Sequence, residues 1–227
     1  MAASDWSQYA GDTPDLATGP RWPWPVVQTV NGTDDAPETP AFWSRKPAPL
    51  GFGGAEGSAL FASGECEDGW IYGPKITGRI VAIREAYAAE AGDEVTLHRS
   101  YAEGRRGRLQ LAILADDAAW DPAGELPIVI LTLSGVKAQR ARKAIGAFSV
   151  TTRGVPLWGY RVSCFFGAAE SHGTGRNRYT VTPVELAFTG PSDPDRDFPA
   201  GGPDAIAAWR HGGEGGAWRR EWAELPR

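Results

Sequence analysis

Arginine is the residue whose number and grouping in this chain could carry chemistry. Arg105, Arg106 and Arg108 crowd a stretch interrupted by Gly104 and Gly107, with Arg99 and Tyr101 just before it. Arg176 and Arg178 close the polar run Ser171-His172-Gly173-Thr174-Gly175-Arg176-Asn177-Arg178. Both stretches read as hairpin tips, from which a guanidinium pairs with phosphate oxygens without losing its own hydration. Lys137, Arg140 and Lys143 fall together on one flank of a predicted helix, expected to be exposed, and add a third basic element. Rings are the second ingredient. Tyr101, Trp158, Tyr160, Phe165 and Tyr179 stand on or beside the strands that carry the tips. Single-strand binders stack bases on such side chains, at about 1–3 kcal/mol each. For any one cluster the plain alternative is a solvated loop.

Catalytic chemistry is poorly provided for. Cys164 could act as a nucleophile if His98 or His172 stabilised its thiolate, but alternation along its strand turns it inward. Cys66 and Cys164 lie 98 residues apart and neither CxxC nor HxxxH occurs, so no zinc site is expected. Asp116-Asp117, with Asp121 and Glu125 nearby, could hold a cation. Adjacent carboxylates on extended chain point to opposite sides, however, which favours a solvated turn. The glycine-rich stretches lack the Lys-Ser/Thr of a P-loop, and GxSxG is absent. The expectation is a non-catalytic protein that needs no metal or other cofactor.

Composition sets the outer limits. The chain has 227 residues, 42% hydrophobic and 22% charged, with 29 Gly, 18 Pro, ten Trp and two Cys. It is therefore neither collagen-like, nor disulfide-framed, nor disordered in bulk. Its length suits one domain with irregular ends. No basic and apolar leader opens it, and runs such as Ile128 to Leu131 fall far short of the roughly 20 residues of a membrane span. A soluble, cytoplasmic protein that does not engage a membrane is expected. The net charge of -5 excludes a generically basic nucleic-acid binder. The charge is nonetheless segregated: residues 75–178 hold fifteen Lys and Arg against ten Asp and Glu, and the rest of the chain holds eight against eighteen. Nearly all the cations are Arg, which a GC-rich genome explains as well as phosphate pairing does.

The elements that must position these residues are mostly strands. Residues 1 to about 58 are rich in Pro and Gly and read as an irregular arm packing on the core. Within it, Trp22-Pro23-Trp24-Pro25-Val26-Val27-Gln28-Thr29-Val30 is the one strand-like stretch. Strands are expected at Ala59 to Ser63, Trp70 to Tyr72, Lys75 to Ala86, Val95 to Tyr101, Arg108 to Ala115, Ile128 to Ser134, Pro156 to Phe166 and Arg178 to Thr189. Period-two alternation sets Leu109, Leu111 and Ile113 on one face, and turns Tyr160, Val162, Cys164 and Phe166 inward with Arg161 and Phe165 outward. In the last strand the parity slips at Pro183, where a bulge is expected. Val136 to Phe148 reads as an amphipathic helix. Pro203 to Arg210 reads as another, broken by Gly212, Gly213, Gly215 and Gly216, after which Trp218 and Trp222 lie at i and i+4 of a short final helix. The fold class is thus mostly β: a Greek-key barrel of the OB type over 59–190 with one inserted helix, and a tail over 191–227 with short helices.

The succession Leu131-Thr132-Leu133-Ser134-Gly135, a helix, Pro156-Leu157-Trp158-Gly159-Tyr160 and Arg178-Tyr179-Thr180-Val181-Thr182-Pro183-Val184 resembles phage- and plasmid-borne proteins similar to single-stranded DNA-binding proteins. The resemblance spans about a quarter of the chain. It implies an OB-like fold and a non-catalytic role in replication, recombination or defence against mobile elements. Familiar bacterial single-strand binders end in an acidic tip closing with Pro-Phe. This chain ends Trp222-Ala223-Glu224-Leu225-Pro226-Arg227, so recruitment by that route is not expected. The leading expectation is binding of single-stranded DNA or RNA by a barrel face carrying Arg161, Phe165 and the two arginine tips, compatible with self-association into an oligomer. A structural or assembly component docking through Trp-rich arms is the alternative from another class. A sugar-binding module using Trp platforms follows it, and a hydrolase built on Cys164 and His172 comes last.

Overall fold

One strand of 17 residues, β5 (Lys75–Ala91), is the spine of the molecule. The computed structural model describes residues 24, 26–30, 40–45, 55–56, 70–91, 94–115, 122–152, 155–194 and 196–227. The expected strand Ala59 to Ser63, the carboxylates Asp116, Asp117 and Asp121, Cys66 and most of the arm over 1–58 lie outside these residues. Along one edge β5 pairs antiparallel with β7 (Arg106–Ala115), from Gly78 opposite Ala115 to Ala88 opposite Arg106. Its other edge is divided. There β9 (Arg161–Phe166) takes Lys75 to Gly78, and β6 (Glu94–His98) takes Tyr87 to Ala91. Between them residues 79–86 have no strand partner on that edge among the described residues.

The sheet continues from β7 to β8 (Ile128–Ser134), then to β1 (Val26–Val30), which lies parallel to β8. Next come β2 (Ala41–Arg45), β4 (Trp70–Gly73) and β3 (Ala55–Glu56). At the opposite end β12 (Val184–Thr189) flanks β9. Segments read from sequence as an irregular arm therefore supply three strands. The order ends at β12 and β3 with no pairing between them among the described residues. The architecture is an open, curled half-barrel, where strand count alone suggested a closed Greek-key ring.

Two devices give the curl. The β5 register shifts between Ile80 and Ala82, a bulge that sends Val81 and Ala82 to the same side and bends the strand. At Gly78, where β5 passes from β9 to β7, a Cβ would stand 2.3 Å from the Leu114 carbonyl oxygen, so only glycine permits the close approach. The curl is wide enough to bring β2 against β9: the Phe42 and Phe166 rings meet at 4.5 Å across the inner face.

That inner face buries Leu109, Leu111, Ile113, Leu131, Val162 and Cys164, as alternation required. Helix α1 (Gly135–Ser149) lies on it through Ala138, Ala141 and Ile145. The outer face buries Val81, Ala112, Leu114, Ile128 and Ile130 under Phe198, Ile206 and Trp218. Ile206 belongs to α2 (Gly202–His211) and Trp218 to α3 (Gly213–Ala223). Each large apolar side chain so buried contributes about 1.5–3 kcal/mol, so both faces are held by packing rather than by the strands alone.

Three sequence expectations need correction. The strand expected from Pro156 begins only at Arg161, because Leu157–Gly159 forms a 3-10 turn after Pro156. Pro183 does not mark a bulge but separates two strands. The ribbon strand β11 (Tyr179–Val181) pairs with β10 (Glu170–His172), and β12 joins the main sheet. Of the four glycines expected to break the tail, only Gly212 and Gly213 sit at the corner; Gly215 and Gly216 lie buried inside α3. Trp218 and Trp222, set on a short final helix, are buried on the chain's own sheet, so that tail is an integral layer of the fold.

Candidate functional site

Strand β5 presents its unpartnered edge to a pocket of about 500 Å³. Ile83, Arg84 and Glu85 line one wall, Arg99 a second, and Arg210, His211, Arg219 and Arg220 the third, with Trp222 and Ala223 beneath. The wall residues come from three places in the sequence. Arg99 follows β6 and is fixed by its backbone N–H, which donates to the Pro226 carbonyl at 2.7 Å. Arg210 ends α2, and Arg219 and Arg220 lie one to two turns into α3. The corner at Gly212–Gly213 folds the two helices together, and Arg219 Nη1 donates to the Arg210 carbonyl at 3.3 Å.

Glycine makes that corner possible. A Cβ on Gly215 would lie 2.4 Å from the Trp209 carbonyl oxygen and 2.5 Å from its ring. A Cβ on Gly216 would meet Arg220 Nη1 and the His211 carbonyl oxygen, both at 3.2 Å. The glycines that looked like helix breakers instead let α3 pass closely over the end of α2.

The acidic groups near the pocket are engaged elsewhere. Arg84 is buried, sandwiched between the Trp218 and Trp222 rings at 4.4 and 4.5 Å. It donates to Gln110 Oε1 at 2.7 Å, to the Trp218 carbonyl at 3.0 Å and to Glu221 Oε2 at 2.6 Å. Glu85, on the pocket wall, has Arg142 Nε 3.0 Å from its carboxylate. Among the described side chains, no carboxylate lies within ion-pair distance of Arg99, Arg210, Arg219 or Arg220. Arg210 is the most constrained of the four: its Nε is shut off from solvent and has no hydrogen-bond partner. Burial, and after it the Arg219 charge, push the Arg210 pKa down.

The residues singled out from sequence fall into three groups. Arg99, Tyr101, Arg105, Arg106 and Arg108 gather at the pocket end of β5. Arg106 and Arg108 stand opposite Ala88 and Ala86, on the face that Trp222 covers. Tyr101 is 69% exposed, and its ring meets Tyr87 edge-on at 5.8 Å. Arg105 Nη1 donates to the Ser100 carbonyl at 2.9 Å. A second group, Arg161 and Phe165, shares the outer face of β9 with Lys75 and Thr77 of β5, and Phe165 is 37% exposed. Arg161 stands beside the Gly78 end of β5, about 30 Å along that strand from Arg106. Trp158, next to it, is half-buried against the Phe198 ring at 5.9 Å.

The third group lies on the α1 side. Arg176 and Arg178 are exposed on the β10–β11 ribbon, where Arg178 Nη2 donates to Ser171 Oγ at 3.3 Å. Arg140 ties this ribbon to α1 through Glu170. That contact raises the Arg140 pKa and lowers the Glu170 pKa. Lys143 is exposed. Lys137, expected on the same exposed flank, is buried. Its Nζ donates to Thr29 Oγ1 at 3.0 Å above the Phe166 ring, and burial lowers its pKa to about 8. The stem follows the apolar inner face to a polar partner on β1, which helix periodicity cannot reveal.

Sequence reasoning missed Arg210, Arg219 and Arg220. The available signal was the spacing of cations around the glycine quartet, but a quartet read as a helix break leaves them with nothing to line. Cys164, for its part, is fully buried with its thiol pushed up to about 12, which removes it as a nucleophile at neutral pH. Among the described residues no group of three or more His, Cys, Asp and Glu could hold a metal ion, and no helix is long and apolar enough to cross a membrane. Compared with known proteins, the chain matches no family model, no curated sequence and no solved structure.

Proposed function

We propose that this protein binds single-stranded nucleic acid, without catalysing a reaction on it, at the arginine-rich end of β5. The observation that carries the reading is the convergence of Arg99, Arg210, Arg219 and Arg220 on one pocket whose one lining carboxylate, Glu85, is paired with Arg142 and within ion-pair distance of none of the four among the described residues. Guanidinium groups in this state are suited to phosphate oxygens, which they take in pairs of parallel hydrogen bonds. Two residues along the chain from Arg99, the exposed Tyr101 ring offers a face for a base, buttressed from the side by Tyr87. Arg105, Arg106 and Arg108 extend the cationic track beyond the pocket. The curled sheet then serves as a frame, as the sheet of an OB-like barrel does in proteins that hold single strands.

The test is an anisotropy titration of a labelled oligonucleotide over a range of salt. Affinity is expected to fall steeply with salt, because each phosphate contact on a single strand contributes about -0.7 to the slope of log K against log salt. Absence of binding at low salt overturns the proposal. Replacing Arg99 and Arg220 by Gln is expected to flatten the slope by about 1 or more. Replacing Arg176 and Arg178, on the ribbon, shows whether the strand also reaches the α1 side.

A further inference from the structure

We infer that the pocket walled by Arg99, Arg210, Arg219 and Arg220 is a seat for a phosphomonoester, the terminal phosphate of a nucleic-acid strand or of a free nucleotide. The inference rests on the nucleic-acid reading above and narrows it from phosphates along a chain to a phosphate at its end.

Charge density is the first reason. An internal phosphodiester carries one negative charge and two free oxygens, whereas a monoester carries about -1.5 to -2 and presents three strong acceptors. A protein that tracks diesters spreads its cations along a groove. Here, beside Arg84 and Glu85, which are paired with Glu221 and Arg142, four guanidinium groups from two helices and the chain after β6 line a single volume of about 500 Å³. The number of donors matches one dianion better than one passing diester.

The second reason is the state of Arg210. A buried, unpaired donor costs about 1–3 kcal/mol, more when the group is charged. Arg210 Nε is such a donor, and the neighbouring Arg219 cation adds to its discomfort. Yet the two side chains are not splayed apart: Arg219 is fastened to the Arg210 carbonyl. The fold holds like charges together and, among the described residues, leaves Arg210 Nε without an acceptor. A dianion in the pocket offsets the charge that the Arg210 and Arg219 guanidinium groups share.

The third reason is the shape of the chain around the pocket. The edge of β5 without a strand partner among the described residues runs from 79 to 86, and near its start Arg79 Nη1 donates to Ser192 Oγ at 2.7 Å and to the Trp158 carbonyl at 3.4 Å. At the other end β6 resumes pairing. The pocket takes only residues 83–85 of this edge, beside the point where β6 resumes pairing, so β6 bounds it on one side as the end of a ligand requires.

The experiment uses the full chain and four otherwise identical labelled oligonucleotides: hydroxyl at both ends, phosphate at the 5′ end, phosphate at the 3′ end, and phosphate at both. Inorganic phosphate and a nucleoside monophosphate serve as competitors. The expected result is at least about tenfold tighter binding of one end-phosphorylated strand than of the strand with two hydroxyl ends. Inorganic phosphate is expected to erase this preference at millimolar concentration. Arg219→Gln with Arg220→Gln, both on the exposed side of α3, is expected to abolish the preference while thermal unfolding stays unchanged. Arg210→Lys, which keeps the charge but loses the planar fork, is expected to recover less than a tenth of it. Equal affinity for all four strands overturns the inference and leaves strand binding standing. If no strand binds but phosphate and the nucleotide do, and the α3 variants lose them, the pocket is confirmed as a phosphomonoester seat and the nucleic-acid reading falls.

Discussion

Arg84 shows what one side chain does for this molecule. It stands on the outer face of β5, between two indole rings, and gives its hydrogen bonds to a strand neighbour and to α3. Each contact is ordinary; together they engage its charge, so among the described residues the cations left to the pocket are the other four. Two predictions belong to this scale. Gly215→Ala places a Cβ against the Trp209 backbone and ring, and is expected to cost about 1–3 kcal/mol in a urea titration. A cost under about 0.5 kcal/mol would show that the corner yields to the added methyl group. Cys164 is expected to resist maleimide in the native protein and to react on unfolding, measured in a Cys66→Ser background so that a single thiol is counted. Its inward position was readable from strand parity, because a period of two leaves only two faces to choose between.

Helix α3 depends on the strut from Glu221 to Arg84. Glu221→Ala leaves the Arg84 charge buried without its carboxylate. With the Glu221 side chain 30% exposed, water recovers part of the loss, so the expected cost is about 2 kcal/mol rather than the full cost of a sealed pair. The measurement is a chemical melt followed by tryptophan fluorescence, since Trp218 and Trp222 report on the same layer. Helix α1 carries a different liability in Lys137. Its folded pKa of about 8 lies below the ordinary lysine value of 10.5, so between these values the unfolded chain binds more protons than the folded one. The penalty for burying the cation is therefore complete below about pH 8, and stability from this group rises as pH climbs from about 8 to about 10.5. Lys137→Met is expected to remove that rise, read as the difference between wild-type and variant melts across the window. Amphipathic spacing gave the span of α1 to within a residue at either end, yet it misplaced Lys137. Spacing shows which side of a helix a residue leaves from, not where a long stem ends.

On the scale of the whole molecule, the net charge of -5 and the cationic pocket are compatible because charge acts locally. At physiological salt the Debye length is about 8 Å, so acidic residues elsewhere on the surface are largely screened from the pocket. The pocket then governs short-range affinity, while the anionic whole does not draw a polyanion in from a distance. Association with a single strand is accordingly expected to be slower than electrostatically steered encounters, nearer about 10⁵–10⁶ M⁻¹s⁻¹ than 10⁸, in stopped-flow mixing at low salt. A rate near the diffusion limit would mean that the arginines of the ribbon and of β9 act together with the pocket as one field.

Local pattern determined much of this protein from the sequence: the mostly-β class, the strands Lys75 to Ala86, Arg108 to Ala115 and Ile128 to Ser134, the helix after Ser134, and the facing of Val162, Cys164 and Phe165. Those features follow from steric periods of two and 3.6 residues, which operate between neighbours in the chain. Tertiary structure alone decided three others. It opened the sheet, since whether edge strands meet depends on a bulge and a crossover summed over many residues. It turned Gly215 and Gly216 from apparent breaks into points of helix contact, since a glycine's reason lies in what approaches it. And it assembled the pocket, joining Arg99 to arginines more than 100 positions away, because charges so separated become neighbours only when packing of the apolar faces has folded the chain back on itself.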